Sequence, residues 1–88
     1  MQQPETITTL DLLPLGHTGH LGVMHLPPPE QQRMAEMGLT VSTPVVVAKR
    51  GHFGGPLEIR IRGCKLSLRR DVARKIQVVL TPEVPDHG

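Results

Sequence analysis

The sequence predicts an all-β protein, a small closed barrel of about five short strands joined by tight turns and two brief helical pieces. Three observations point there. Leu57 to Arg62 alternates apolar and polar residues without a break, and Leu66 and Leu68 continue the alternation beyond Gly63. Val45-Val46-Val47 is β-branched throughout, the composition of a strand. Glycine and proline turn signals recur at close intervals. Closing such short strands on themselves removes exposed edges.

Thr8-Thr9-Leu10-Asp11-Leu12-Leu13-Pro14 opens with a capping threonine and an early aspartate, so it reads as one helical turn ending at the proline. Leu10 and Leu13, three apart, plug one end of the core. From His17 to Leu26 a strand is expected, with Leu21 and Val23 alternating against Thr18, His20 and Gly22, although Gly19 and Gly22 weaken it. Pro27-Pro28-Pro29 stops that strand and suits a helix start. The helix runs from Glu30 to Met37, with Met34 and Met37 on one face and Gly38 as its C-terminal cap.

Val45 to Ala48 is apolar on both parities and predicts a strand covered on both faces. Gly51-His52-Phe53-Gly54-Gly55-Pro56 is a loop by composition, and Leu57 to Arg62 returns as a strand with Leu57, Ile59 and Ile61 inward. Gly63-Cys64 makes a tight connection to a strand with Leu66 and Leu68 inward and Lys65, Ser67 and Arg69 outward. Arg70 to Arg74 fits a helical turn, and Ile76 to Leu80 closes the series. The expected organisation is a flexible N-terminus over 1–7, one barrel domain over 8–80 and a flexible tail over 81–88.

A chain of 88 residues has room for one small core and buries only about 60 to 65% of its unfolded surface, which disfavours a deep enclosed active site. The single Cys64 forms no internal disulfide and points to a reducing, cytoplasmic setting. No apolar run is long enough to span a bilayer, and Met1 to Thr9 lacks the basic start and apolar core of a signal peptide. Nine of the ten lysines and arginines fall between Lys49 and Lys75, opposed there only by Glu58 and Asp71. Such a basic half attracts an acidic protein surface, phosphates or anionic headgroups, and serves equally well as a solvated face.

Catalysis finds no candidates: no nucleophile has an adjacent base, no carboxylate pair stands out, and no glycine-rich loop carries the Lys-Ser or Lys-Thr of a phosphate-binding loop. Cys64 beside Lys65 reads as a bystander thiol. His17, His20 and His25 invite a metal, but His17 and His20 are three apart and face opposite sides of a strand; His52 has no co-ligand and His87 is in the tail. The expectation is therefore no metal site and no cofactor.

Nucleic acid is disfavoured because stacking platforms need aromatic side chains and Phe53 is the sole Phe, Tyr or Trp. A partner-docking surface is preferred, with Phe53 as an aromatic anchor and Arg50, His52, Arg60, Arg62, Arg69 and Arg70 around it. The competing role for Phe53 is a plug for the barrel end.

Leu10-Asp11-Leu12-Leu13-Pro14-Leu15-Gly16, Arg33-Met34-Ala35-Glu36-Met37-Gly38-Leu39, Phe53-Gly54-Gly55-Pro56-Leu57-Glu58-Ile59, Leu66-Ser67-Leu68-Arg69 and Ala73-Arg74-Lys75-Ile76 stand in an order that resembles the FeoA family from Thr8 to Leu80. Ser42-Thr43 sits where that family usually shows Pro-Gly, and Phe53 where an aliphatic residue is common. The resemblance implies an SH3-like barrel without enzymatic activity and a role in ferrous iron uptake. It further implies a partner, the cytosolic GTPase region of the membrane transporter FeoB, which would bring the chain to the inner face of the cytoplasmic membrane. Weak homo-oligomers are compatible with it. The same barrel occurs at the C-terminus of iron-dependent repressors, so the alternative function is a basic barrel binding nucleic acid or acting in metal-dependent transcription regulation. A weaker reading is a chaperone that carries Fe(II).

Overall fold

The computed structural model describes residues 6–80. The expected tail over 81–88 and the first five residues lie outside them. Six strands form one curled antiparallel sheet: β1 (Thr6–Thr9), β2 (Thr18–Met24), β3 (Pro44–Arg50), β4 (Leu57–Ile61), β5 (Cys64–Leu68) and β6 (Ile76–Leu80). Their spatial order is β1-β6-β2-β3-β4-β5. Two helices interrupt them, α1 (Pro28–Glu36) and α2 (Arg70–Ala73), together with 3-10 turns at Leu10–Leu12 and His52–Gly54.

The middle of the molecule is a meander in which each strand pairs with the next, β2 with β3, β3 with β4 and β4 with β5. β6 then returns beside β2, and β1 lies on β6 with Ile7 opposite Val79. Each outer strand thus pairs on one side, and the seam between them is bridged by α2 against the 3-10 turn at Leu10–Leu12. Inside, Leu57, Ile59, Ile61, Leu68, Ile76 and Val78 are buried, with Leu10 and Leu13 closing one end. Each such side chain contributes about 1.5–3 kcal/mol by leaving water.

The structure corrects the expected element map at several places. Among the described residues the strand count is six, because Thr6–Thr9 is a strand where an N-terminal arm and the start of a helical turn were expected; the turn begins at Leu10. Val23 is exposed, since the β2–β6 register shifts between Leu21 and Met24 and the parity flips there. A second shift lies between Val47 and Lys49, and the outward Val46 and Ala48 are only half covered. The β4–β5 turn is Arg62-Gly63, both at positive φ, and Cys64 already belongs to β5 opposite Ile61.

α1 starts on Pro28 and ends before Gly38, whose φ of 97° is the left-handed cap. It buries none of its own residues and rests on the core through Met34, while Met37 is exposed. The Nε2 of Gln31 donates to the carbonyls of Met24 and Leu26 at 3.0 and 2.7 Å, which ties the helix to the end of β2. Between α1 and β3 a four-residue turn closes with the Thr43 amide on the Thr40 carbonyl at 3.1 Å, and places Ser42 at a φ of 72°.

Candidate functional site

The β3–β4 connection is short, rich in glycine and tightly closed. The Gly51 amide donates to Pro56 O at 2.9 Å and the Gly55 amide to His52 O at 3.0 Å. A Cβ on Gly51 would lie 2.8 Å from both Gly55 C and Pro56 O, so the two arms meet backbone to backbone and only glycine fits. Phe53 stands at the tip with a φ of 57° and a ψ of 41°, a conformation that costs a side-chain-bearing residue about 1–2 kcal/mol. Its relative exposure is 108%, so it is not the plug of the barrel end. The His52 ring, itself exposed, sits beside it with centroids 6.4 Å apart.

Arg70 fixes this loop from behind. Its Nε donates to Gly55 O and its Nη2 to Gly51 O, each at 3.3 Å, so one guanidinium satisfies carbonyls on both arms. Arg50 does the same for the neighbouring segment: Nη1 donates to Asp11 O and Nη2 to Leu13 O, which pins the 3-10 turn at Leu10–Leu12 to the end of β3. Arg50 therefore holds the fold, and its charge does not face outward as the composition suggested.

The remaining candidates separate. Arg60 is exposed between Val46 and Lys65 on the outer face of the sheet, and Arg62 lies in the β4–β5 turn, the opposite end of β4 from Phe53, about 16 Å along the strand. Arg69 is exposed and pairs with Asp71 at 3.4 Å. His52, Phe53, Arg69 and Arg70 are thus the members of the predicted set that share one barrel end with Arg50, whose guanidinium is engaged by the carbonyls of Asp11 and Leu13.

Two residues of this end were not singled out from the sequence. Arg74, 3.9 Å from the Asp11 carboxylate, lines a groove of about 420 Å³ with Gly54, Gly55, Pro56, Arg69, Arg70 and Asp71. Leu12 is exposed between the two residues whose carbonyls hold Arg50. A short 3-10 turn that buries Leu10 must turn another face to water, and that was the available signal for Leu12.

Among the described residues no group of three or more His, Cys, Asp or Glu side chains could hold a metal ion. His25 instead meets the Gln77 amide at 3.3 Å. No described helix is long and apolar enough to cross a membrane. Cys64 is a free, exposed thiol in β5.

Among proteins of curated function, none matches this sequence. Solved structures do. The FeoA protein of Chlorobium tepidum superposes with a TM-score of 0.80 at 24% identity, over 91% of this chain and 76% of that one. Stenotrophomonas maltophilia FeoA complexed with zinc, described as a prokaryotic SH3 domain protein and a candidate activating factor of ferrous iron transport, gives 0.68 at 25% identity, over 81% of this chain and 88% of that one. A manganese-dependent transcriptional repressor gives 0.77 at 22% identity, but the 89% of this chain that aligns spans only 44% of the repressor. Residues 8–80, the SH3-like barrel from the end of β1 to the end of β6, match the family described as FeoA domain, and the chain belongs to that family.

Proposed function

We propose that this FeoA-family chain, an accessory protein of ferrous iron transport, acts without catalysis by docking on the cytosolic GTPase region of FeoB through the barrel end that carries Phe53. One observation carries this reading: a wholly exposed phenylalanine is held out in a left-handed conformation by a loop with backbone-to-backbone closure and an arginine clamp. A mobile tip would lose conformational entropy on binding, whereas a fixed one presents its aromatic ring at little further cost. Such preorganised aromatics dominate binding energy at protein interfaces. The absence of a catalytic cluster in the sequence agrees with a module whose effect is exerted through its partner. The chain then works in the cytoplasm, at the inner face of the membrane that holds FeoB.

The test is calorimetric titration against the purified cytosolic domain of FeoB, with duplex DNA in parallel, at near-physiological salt. Saturable binding to the transporter domain that falls about tenfold or more with Phe53→Ala is expected. Binding to DNA alone, with steep salt dependence, would reverse the proposal in favour of the repressor-like reading.

A further inference from the structure

The groove beside the Phe53 loop has a chemistry of its own. Its walls are Gly54, Gly55 and Pro56 on one side and Arg69, Arg70 and Arg74 on the other, with Asp71 the single carboxylate. The charge of Arg70 is fixed in place by two carbonyls, and among the described residues no carboxylate lies within ion-pair distance of it. Among the described residues the Arg69 side chain pairs with Asp71 alone, and the 3.9 Å contact of Arg74 with Asp11 leaves the Arg74 side chain 65% exposed. Three guanidinium groups within residues 69–74, two of them on largely exposed side chains, are opposed by one carboxylate at the groove and a second at its margin. A guanidinium fork suits a carboxylate in bidentate geometry.

We infer that this groove receives an acidic stretch of partner polypeptide, whose carboxylates meet Arg69, Arg70 and Arg74 while Phe53 enters an apolar pocket next to it. The inference rests on the docking reading and names the chemistry of the surface that the barrel end recognises. Charge complementarity selects an acidic occupant, and the aromatic neighbour selects protein over nucleic acid. A lone phenylalanine offers one base a stacking face; Arg60, Arg62 and Lys65 lie along β4 and β5 away from the groove, and Arg33 and Lys75, in the cleft beyond Arg69, are interleaved with Glu30 and Asp71, so carboxylates interrupt a phosphate track. Arg70 has a double part, since the side chain that shapes the loop also supplies a wall of the groove.

Two measurements separate this inference from the docking reading. In the first, the ¹⁵N-labelled chain is titrated with a hexaglutamate peptide and, separately, with a short DNA duplex. Peptide-induced shifts concentrated at Gly54, Gly55 and residues 69–74 are expected; shifts spread equally over Arg60, Arg62 and Lys65, or tighter binding of the duplex at the groove, would overturn the inference whatever FeoB does. In the second, Arg69→Gln with Arg74→Gln is compared with Arg60→Gln with Arg62→Gln in titrations against the cytosolic domain of FeoB. These variants lose equal charge, so the groove predicts a loss of about tenfold for the first pair and less than about twofold for the second. Equal losses would show generic attraction and overturn the groove while leaving docking intact; a wild-type chain that binds the peptide at the groove but not FeoB would overturn the docking reading instead. Unchanged amide spectra of all variants outside the substituted positions establish that the fold is preserved.

Discussion

A Cβ placed on Gly19 would fall 2.1 Å from Cγ1 of Val78, so these two residues of adjacent strands occupy a space that admits only one side chain. Val78 fills it, fully buried, with Leu13 on the far side. Glycine weakens a strand on its own account, and here the packing of β6 on β2 offsets that cost. Gly19→Ala is expected to destabilise the protein by about 1–3 kcal/mol, measured by urea denaturation, because the core must shift to admit a methyl group. An alanine variant as stable as the parent would show that the barrel end is loosely packed.

Arg50 predicts a different kind of loss. Arg50→Ala leaves the carbonyls of Asp11 and Leu13 without their donor at a partly buried site, at about 1–3 kcal/mol. Arg50→Lys should recover less than half of that, since one ammonium is a point donor and cannot span two carbonyls as a planar fork does. Full rescue by lysine would mean that charge, not geometry, holds the 3-10 turn.

Ser42 sits at the third position of the turn from Thr40 to Thr43 with a φ of 72°. Ser42→Gly is expected to raise stability by about 0.5–1 kcal/mol, since glycine takes that conformation without steric cost and the gain exceeds its added unfolded-state entropy. A fall in the urea midpoint would refute the assignment of strain to this turn.

Phe53→Ala should leave the urea midpoint unchanged, because the ring is wholly exposed, while binding to the FeoB cytosolic domain weakens about tenfold or more. A midpoint that drops with the ring removed would return Phe53 to the barrel.

The sequence made the alternating strands legible, and the burial of Leu57, Ile59, Ile61, Ile76 and Val78 follows from period two alone. β1 was not legible, because Thr6-Ile7-Thr8-Thr9 carries one apolar residue, and that residue faces solvent; pairing with β6, far along the chain, makes it a strand. Val23 misled for a local reason: a register shift turns the alternation over after Leu21, and Gly22, the residue type that often sits at a bulge, was its one mark in the sequence. Of the candidate site, the exposed loop and its aromatic could be read from composition. The separation of the arginines could not, since Arg50 and Arg70 find backbone carbonyls 37 to 39 and 15 to 19 residues away, and such nonlocal hydrogen bonds leave no trace in charge patterning.

The strand order carries a consequence for how the chain acquires its shape. β3 to β5 are joined by short connections at 51–56 and 62–63 and close quickly, whereas β2 reaches β3 across residues 25–43, which include α1. Among the described strands β1 pairs with β6 alone, so this N-terminal strand must wait for the most C-terminal of them to arrive. Assembly is therefore expected to run from the middle outward, with Thr6–Thr9 joining at the end and releasing first, and amide exchange fastest in β1 among the six strands would record that order.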